Sequence, residues 1–198
     1  LVPAGPEFAV GTYTTSDPYI VIASGSPAVA VGPTGDFVVV WSRVTLERQQ
    51  NNTLDVFAQR FNAAGAQLGD EFRVNSDSAK RHPAVAIEST GEFVVAWQSY
   101  PSGVANYRVF GARFDAARLG SQFAVSTYTT NYQESPAVAA GPMGGFVVVW
   151  SGLYPDGSDF DVVGRRFDAD GSPAGSVFTV NTYTTANQGG PAVASDPS

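Results

Sequence analysis

The chain has 198 residues, a formal net charge of −7, one histidine and no cysteine. Its 11 basic residues are scattered, so it lacks both the phosphate-neutralising stripe of a nucleic-acid binder and the basic patch that docks on anionic lipid. The cysteine count excludes thiol catalysis, disulfides and Cys-zinc sites, the single histidine excludes histidine-rich zinc sites, and no apolar run nears the roughly 20 residues that span a bilayer.

Leu1 to Pro6 carry neither the charged nor the apolar region of a secretion signal, and no Met initiates, so the stretch reads as the start of a processed chain or of a piece of a longer one. A short strand is expected at Phe8–Val10, followed by Thr12-Tyr13-Thr14-Thr15 and an insertion, Pro18 to Gly25. Pro27-Ala28-Val29-Ala30 opens a first strand, and Gly32-Pro33-Thr34-Gly35 is a tight turn, with Pro presetting one dihedral and Gly supplying positive φ. Phe37-Val38-Val39-Val40-Trp41 follows as a second strand, Arg60-Phe61 ends a third, and Phe72 lies in a fourth. The order then returns as Pro83–Ile87, Phe93–Trp97, Val109–Phe114 and Gln122–Val125, and again from Pro136 through Phe146 to Trp150, Arg166-Phe167 and Phe178. Pro191-Ala192-Val193-Ala194 begins it once more. The Pro-Ala-Val-Ala cluster stands at Pro27, Pro83, Pro136 and Pro191, in steps of 56, 53 and 55 residues, which marks a repeat architecture.

The second strand is diagnostic. Phe37 to Trp41 is apolar at every position, and a continuous β-branched run means a strand covered on both faces. A middle strand of a propeller blade is in that position, because four-stranded blades stack face to face around an axis. The predicted class is therefore all-β, a β-propeller of four-stranded antiparallel blades. Three complete repeats span about 27–74, 83–125 and 136–180, with partial blade strands at about 7–15 and 191–198. Three blades fall short of the usual four to eight. A piece of a longer array, two chains completing one seven-blade ring, or a small ring whose terminal strands pair would each account for the number.

The pattern Phe-Val-Val-Val-Trp, a loop with Asp-Gly, Val-x-x-Arg-Phe-Asp, Gly-x-x-x-Gly and Phe-x-Val-Asn-Thr resembles tandem repeats of very large bacterial secreted and surface proteins, best between Pro136 and Thr185. The resemblance implies propeller blades, an extracellular or cell-surface location, and adhesion or display, with calcium-binding modules nearby.

In such a blade the second-to-third and fourth-to-first connections share one face, here called the top, where binding residues sit on loops above a rigid scaffold. Tyr13, Tyr128, Asn131, Gln133, Tyr154, Tyr183, Asn187 and Gln188 fall there and combine rings for the C–H face of a sugar with donors for its hydroxyls. The competing reading is structural, since Thr and Tyr favour strands and amides can bond the neighbouring blade. Asp156, Asp159 and Asp161 offer oxygen ligands to calcium, although the second repeat has no acids there and a plain turn explains them as well. His82 breaks the repeat just before Pro83 and reads as a solvent-facing loop residue. Arg60, Arg113 and Arg166 recur at one point of the third strand, and Trp41, Trp97 and Trp150 at the end of the second, as repeating scaffold does. Three functions compete. The first is a non-catalytic module binding a glycan or a surface protein. The second is a propeller glycosidase using paired carboxylates among Asp17, Glu134 and Asp156, although the sialidase box Ser-x-Asp-x-Gly-x-x-Trp is missing. The third is a spacer.

Overall fold

The computed structural model describes residues 10, 25–47, 51–75, 80–101, 106–115, 118–128, 131–153, 159–183 and 185–195. The described residues form three four-stranded antiparallel sheets. Blade 1 holds β1 (Gly25–Val31), β2 (Phe37–Glu47), β3 (Asn51–Phe61) and β4 (Phe72–Arg73). Blade 2 holds β5 (Lys80–Ile87), β6 (Phe93–Ser99), β7 (Arg108–Phe114) and β8 (Arg118–Ala124). Blade 3 holds β9 (Gln133–Ala140), β10 (Phe146–Leu153), β11 (Phe160–Phe167) and β12 (Phe178–Thr179). In every sheet the strands lie in chain order, and the first strands pack on one another, β1 on β5 and β5 on β9, so they line the axis. This is a β-propeller built of four-stranded antiparallel blades.

The hairpins at the bottom repeat one geometry. Gly35, Gly91 and Gly144 have φ of 85°, 88° and 83°, and each closes its turn through a backbone bond to the carbonyl three residues earlier. The residues before Pro83, Pro136 and Pro191 are also left-handed, with φ of 49° at His82, 53° at Ser135 and 67° at Gly190. There the first strand of blades 2 and 3 slips one register as a bulge, between Arg81 and Ala84 and opposite Val149–Ser151. His82 is exposed and is explained by this bulge, since histidine is among the residues that tolerate a positive φ.

Every residue of β6 is buried. Phe93, Val95 and Trp97 join a core cluster with Val38, Val40 and Val56 of blade 1, while Val94 and Ala96 join a second cluster with Val148, Trp150 and Phe167 of blade 3. Alternate side chains of one strand therefore enter two different cores, which is why the run is continuously apolar. The fourth strand locks each seam with a ring. Phe72 lies on Ala58 of its own blade, and Phe123 on Gly111, where a Cβ would stand 2.8 Å from the ring. These rings then meet the next blade's stacked pair, Phe93–Phe114 or Phe146–Phe167.

The fourth strands are short, and a side chain continues their ladder. Asn75 Oδ1 accepts from Val56 N at 2.7 Å, and Asn181 Oδ1 from Val162 N at 2.8 Å. Their amides donate to Asp55 Oδ1 and Asp161 Oδ1 at 2.9 and 2.7 Å. In blade 2 Ser126 Oγ takes the asparagine's place, and Arg108 stands where the aspartate would be. The Val-Asn-Thr motif is thus a strand extension. The expected leading strand at 7–15 lies outside the described residues except for Val10, which is in a bend. Pro191–Ser195 belong to no sheet, yet the Ser195 hydroxyl donates to the Ala140 carbonyl of β9.

Candidate functional site

The top face over the seam of blades 2 and 3 holds an aromatic cluster. Tyr100 follows β6, Tyr107 precedes β7 and Tyr132 precedes β9, so three strand ends deliver three rings to one spot. Tyr100 meets Tyr107 edge-on at 5.3 Å between centroids, and Tyr107 meets Tyr132 at 5.9 Å. Backbone bonds fix the arrangement: Gln133 N donates to Tyr107 O across the seam at 3.0 Å, and Leu153 N to Tyr132 O at 2.9 Å. Tyr100 is 42% exposed and Tyr132 41%, each presenting part of a ring to solvent. Asn131 and Tyr128 are half-buried on the same connection. Rings with an apolar body and a polar tip, held by rigid backbone, make a surface suited to partly apolar, hydroxylated ligands.

Gln133 does not join this surface. It is fully buried: its Oε1 accepts from the indole of Trp150 at 2.6 Å, and its Nε2 donates to Leu153 O at 3.2 Å. Gly152 makes room, since a Cβ there would stand 2.8 Å from that Oε1. Asn187 and Gln188 brace blade 3 from the side. Asn187 Oδ1 accepts from Phe160 N at 3.0 Å, and Gln188 N donates to Phe160 O at 2.6 Å. Tyr183 is 65% exposed, and its carbonyl accepts from Asn181. Tyr13 and Tyr154 lie outside the described residues. Tyr107 carries no signal in the repeat pattern, because Leu54 and Phe160 hold its position in the other two repeats.

Two acids of the proposed calcium set, Asp159 and Asp161, make scaffold bonds. Asp161 holds Asn181 as Asp55 holds Asn75, and Asp159 Oδ2 accepts from Ala186 N at 3.0 Å. Asp156 lies outside the described residues, among which no group of three His, Cys, Asp or Glu is placed to hold a metal ion. Of the carboxylates named for hydrolysis, Asp17 and Asp156 also lie outside, and Glu134 is half-buried on β9 opposite Ser151.

Of the repeating arginines, Arg113 is an ion-pair partner. Its Nη2 is 2.6 Å from Glu92 Oε2 and 3.4 Å from Glu88, whose side chain is 1% exposed against the blade 3 turn at Gly144. Burial pushes the Glu88 carboxyl above its ordinary value; Arg113 opposes the shift and the charge of Glu92 adds to it. In blade 3 the arginine beside Arg166 reaches the neighbouring blade: Arg165 Nη1 donates to Val125 O at 3.4 Å.

Compared by sequence, the chain matches no family model and no curated protein. Compared by structure, it is similar to a Hadza microbial sialidase, Hz136, with a TM-score of 0.56, 12% identity, and coverage of 80% of this chain and 37% of that one. It is equally similar to a xylan β-1,4-xylosidase from Bacillus halodurans, with a TM-score of 0.56, 13% identity, and coverage of 84% and 32%. The likeness is one of fold, and the chain spans about a third of the length of either protein.

Proposed function

We propose that the chain is a non-catalytic carbohydrate-binding module of an extracellular bacterial surface protein, taking its ligand on the top face at the seam of blades 2 and 3. The observation that carries this reading is the Tyr100–Tyr107–Tyr132 cluster, whose rings are fixed across a blade boundary and stay partly open to solvent. A sugar would lay a C–H face on the open ring of Tyr132 and find donors in the tyrosine hydroxyls and in the half-buried Asn131. Tyr183 would extend the surface on blade 3, and adhesion to glycan-bearing surfaces would follow from such sites repeated along a longer chain.

The test is a glycan array followed by calorimetry on the best ligand, with Tyr132→Ala and Tyr107→Ala compared with wild type. Loss of one stacking ring should weaken binding roughly tenfold, about 1.4 kcal/mol, with the fold unchanged by circular dichroism. A chain that binds no glycan would sink the proposal and leave the spacer role.

One observation favours hydrolysis as a second reading, namely the shared fold with a sialidase and a xylosidase. Turnover of aryl glycosides that disappears in Glu134→Gln or Asp156→Asn would establish it, and binding without turnover would dismiss it.

A further inference from the structure

The foot of one seam is closed and the foot of the other is open. Between blades 2 and 3 the Ser89 hydroxyl donates to the Pro142 carbonyl at 2.8 Å, and the buried Glu88 carboxylate lies against the Gly144 turn while it faces Arg113. Between blades 1 and 2 the counterparts of Ser89 and Glu88 are Pro33 and Gly32. Proline has no hydroxyl to bond the next blade, and glycine has no side chain to fill the gap. A cleft of 410 Å³ stands there, within the range of small-ligand sites.

The charged groups around this cleft are held apart. Arg60 of blade 1 stands where Arg113 stands in blade 2, and Arg113 pairs with Glu88 and Glu92 of its own blade. Half-buried Arg60 forms no ion pair among the described residues, although Asp36, Glu92 and Asp115 line the same cleft. Two of these carboxylates are fixed by scaffold bonds through one oxygen each. Asp36 Oδ1 accepts from Ala63 N at 3.0 Å, and Glu92 Oε2 from Arg113 at 2.6 Å. Leu68, 37% exposed, and half-buried Ile87 add apolar surface.

One guanidinium among three carboxylates leaves the lining negative, which repels an anion, while the guanidinium itself repels a cation. A neutral ligand rich in hydroxyls satisfies both signs, since each hydroxyl can accept from the arginine or donate to a carboxylate. We propose that the cleft at the foot of the seam of blades 1 and 2 binds a neutral saccharide. Arg60 donates to its hydroxyl oxygens as Arg113 donates to Glu88 and Glu92, and Leu68 meets its C–H surface. This site lies on the face opposite the tyrosine cluster and does not depend on it.

The test is an NMR titration of the 198-residue chain with a panel of neutral mono- and disaccharides, reading the Arg60 Nε–H and Leu68 methyl signals. A binding sugar should shift both signals in wild type and in Tyr132→Ala alike. Arg60→Met and Asp115→Asn, followed at Leu68, should each weaken affinity about tenfold. Acetate and ethylammonium should leave the signals in place. Arg60 has no ion pair to lose among the described residues and Asp115 is exposed, so both variants should fold, which circular dichroism checks. If Arg60→Met does not fold, Asp115→Asn carries the same test. A panel in which no sugar moves these signals overturns the proposal. Shifts that vanish in Tyr132→Ala overturn it too, by placing all binding on the top face, as does affinity that the folded variants leave unchanged. A response to acetate or ethylammonium equal to that to sugar would make the cleft a plain charge site and overturn it as well.

Discussion

Two buried polar side chains, Gln133 and Glu88, have opposite consequences for stability. Gln133 satisfies the Trp150 indole and the Leu153 carbonyl at once. Gln133→Leu would leave the indole N–H without an acceptor in a core position, so urea unfolding should show a loss of about 1–3 kcal/mol. Glu88 sits under blade 3 with its carboxyl raised by burial. A folded-state value above the unfolded one favours the fold fully below the ordinary glutamate range. That contribution is lost as pH climbs through the raised value. Urea midpoints taken between about pH 4 and 8 should therefore decline in wild type across that window and decline less in Glu88→Gln, which cannot titrate. Parallel profiles would show that Glu88 does not govern the slope.

At the scale of elements, the third strand's small residue and the fourth strand's ring form one unit, at Ala58–Phe72, Gly111–Phe123 and Gly164–Phe178. A Cβ on Gly111 would stand 2.8 Å from Phe123, and one on Gly164 2.7 Å from Phe178. The same clash should cost different amounts. Phe123 is wedged against Phe146 and Phe167, so Gly111→Ala should lower stability by about 1–3 kcal/mol. Phe178 can swing into solvent, and thermal melts of Gly164→Ala should stay close to wild type. Ala58 shows that a ring can adjust when the seam is built around it. This level of the fold was legible in the sequence: Phe93 to Trp97 is apolar throughout because its side chains enter two cores, and that pattern needs no knowledge of partners. The site was less legible. Gln133 is polar and on a top-face connection, and nothing local distinguishes an amide turned inward to a tryptophan from one turned outward to a ligand. Asp161 has a metal ligand's chemistry in the sequence, whereas in the fold it holds Asn181 as Asp55 holds Asn75. The Tyr107 ring becomes part of a site only through its contact with Tyr132, 25 residues on, across a blade boundary.

For the whole molecule, stability should centre on blade 2, whose two faces both enter described cores, since repeats of this kind are stabilised by contacts with their neighbours. Phe123→Ala, in a formed seam, should cost about 3 kcal/mol or more. Phe178→Ala, at a ring 41% exposed, should stay within about 0.5 kcal/mol of wild type. Hydrogen exchange should place the slowest amides in β6, the strand enclosed on both sides. The forward reach of each fourth-strand ring also gives the array a direction. Because the seat for that ring recurs in every blade, excising one period, 83 to 135, would bring Phe72 onto Phe146 and Phe167 in place of Phe93 and Phe114. A polypeptide of this design can lengthen or shorten by unequal recombination, one whole blade at a time, while the loops above remain free to diversify.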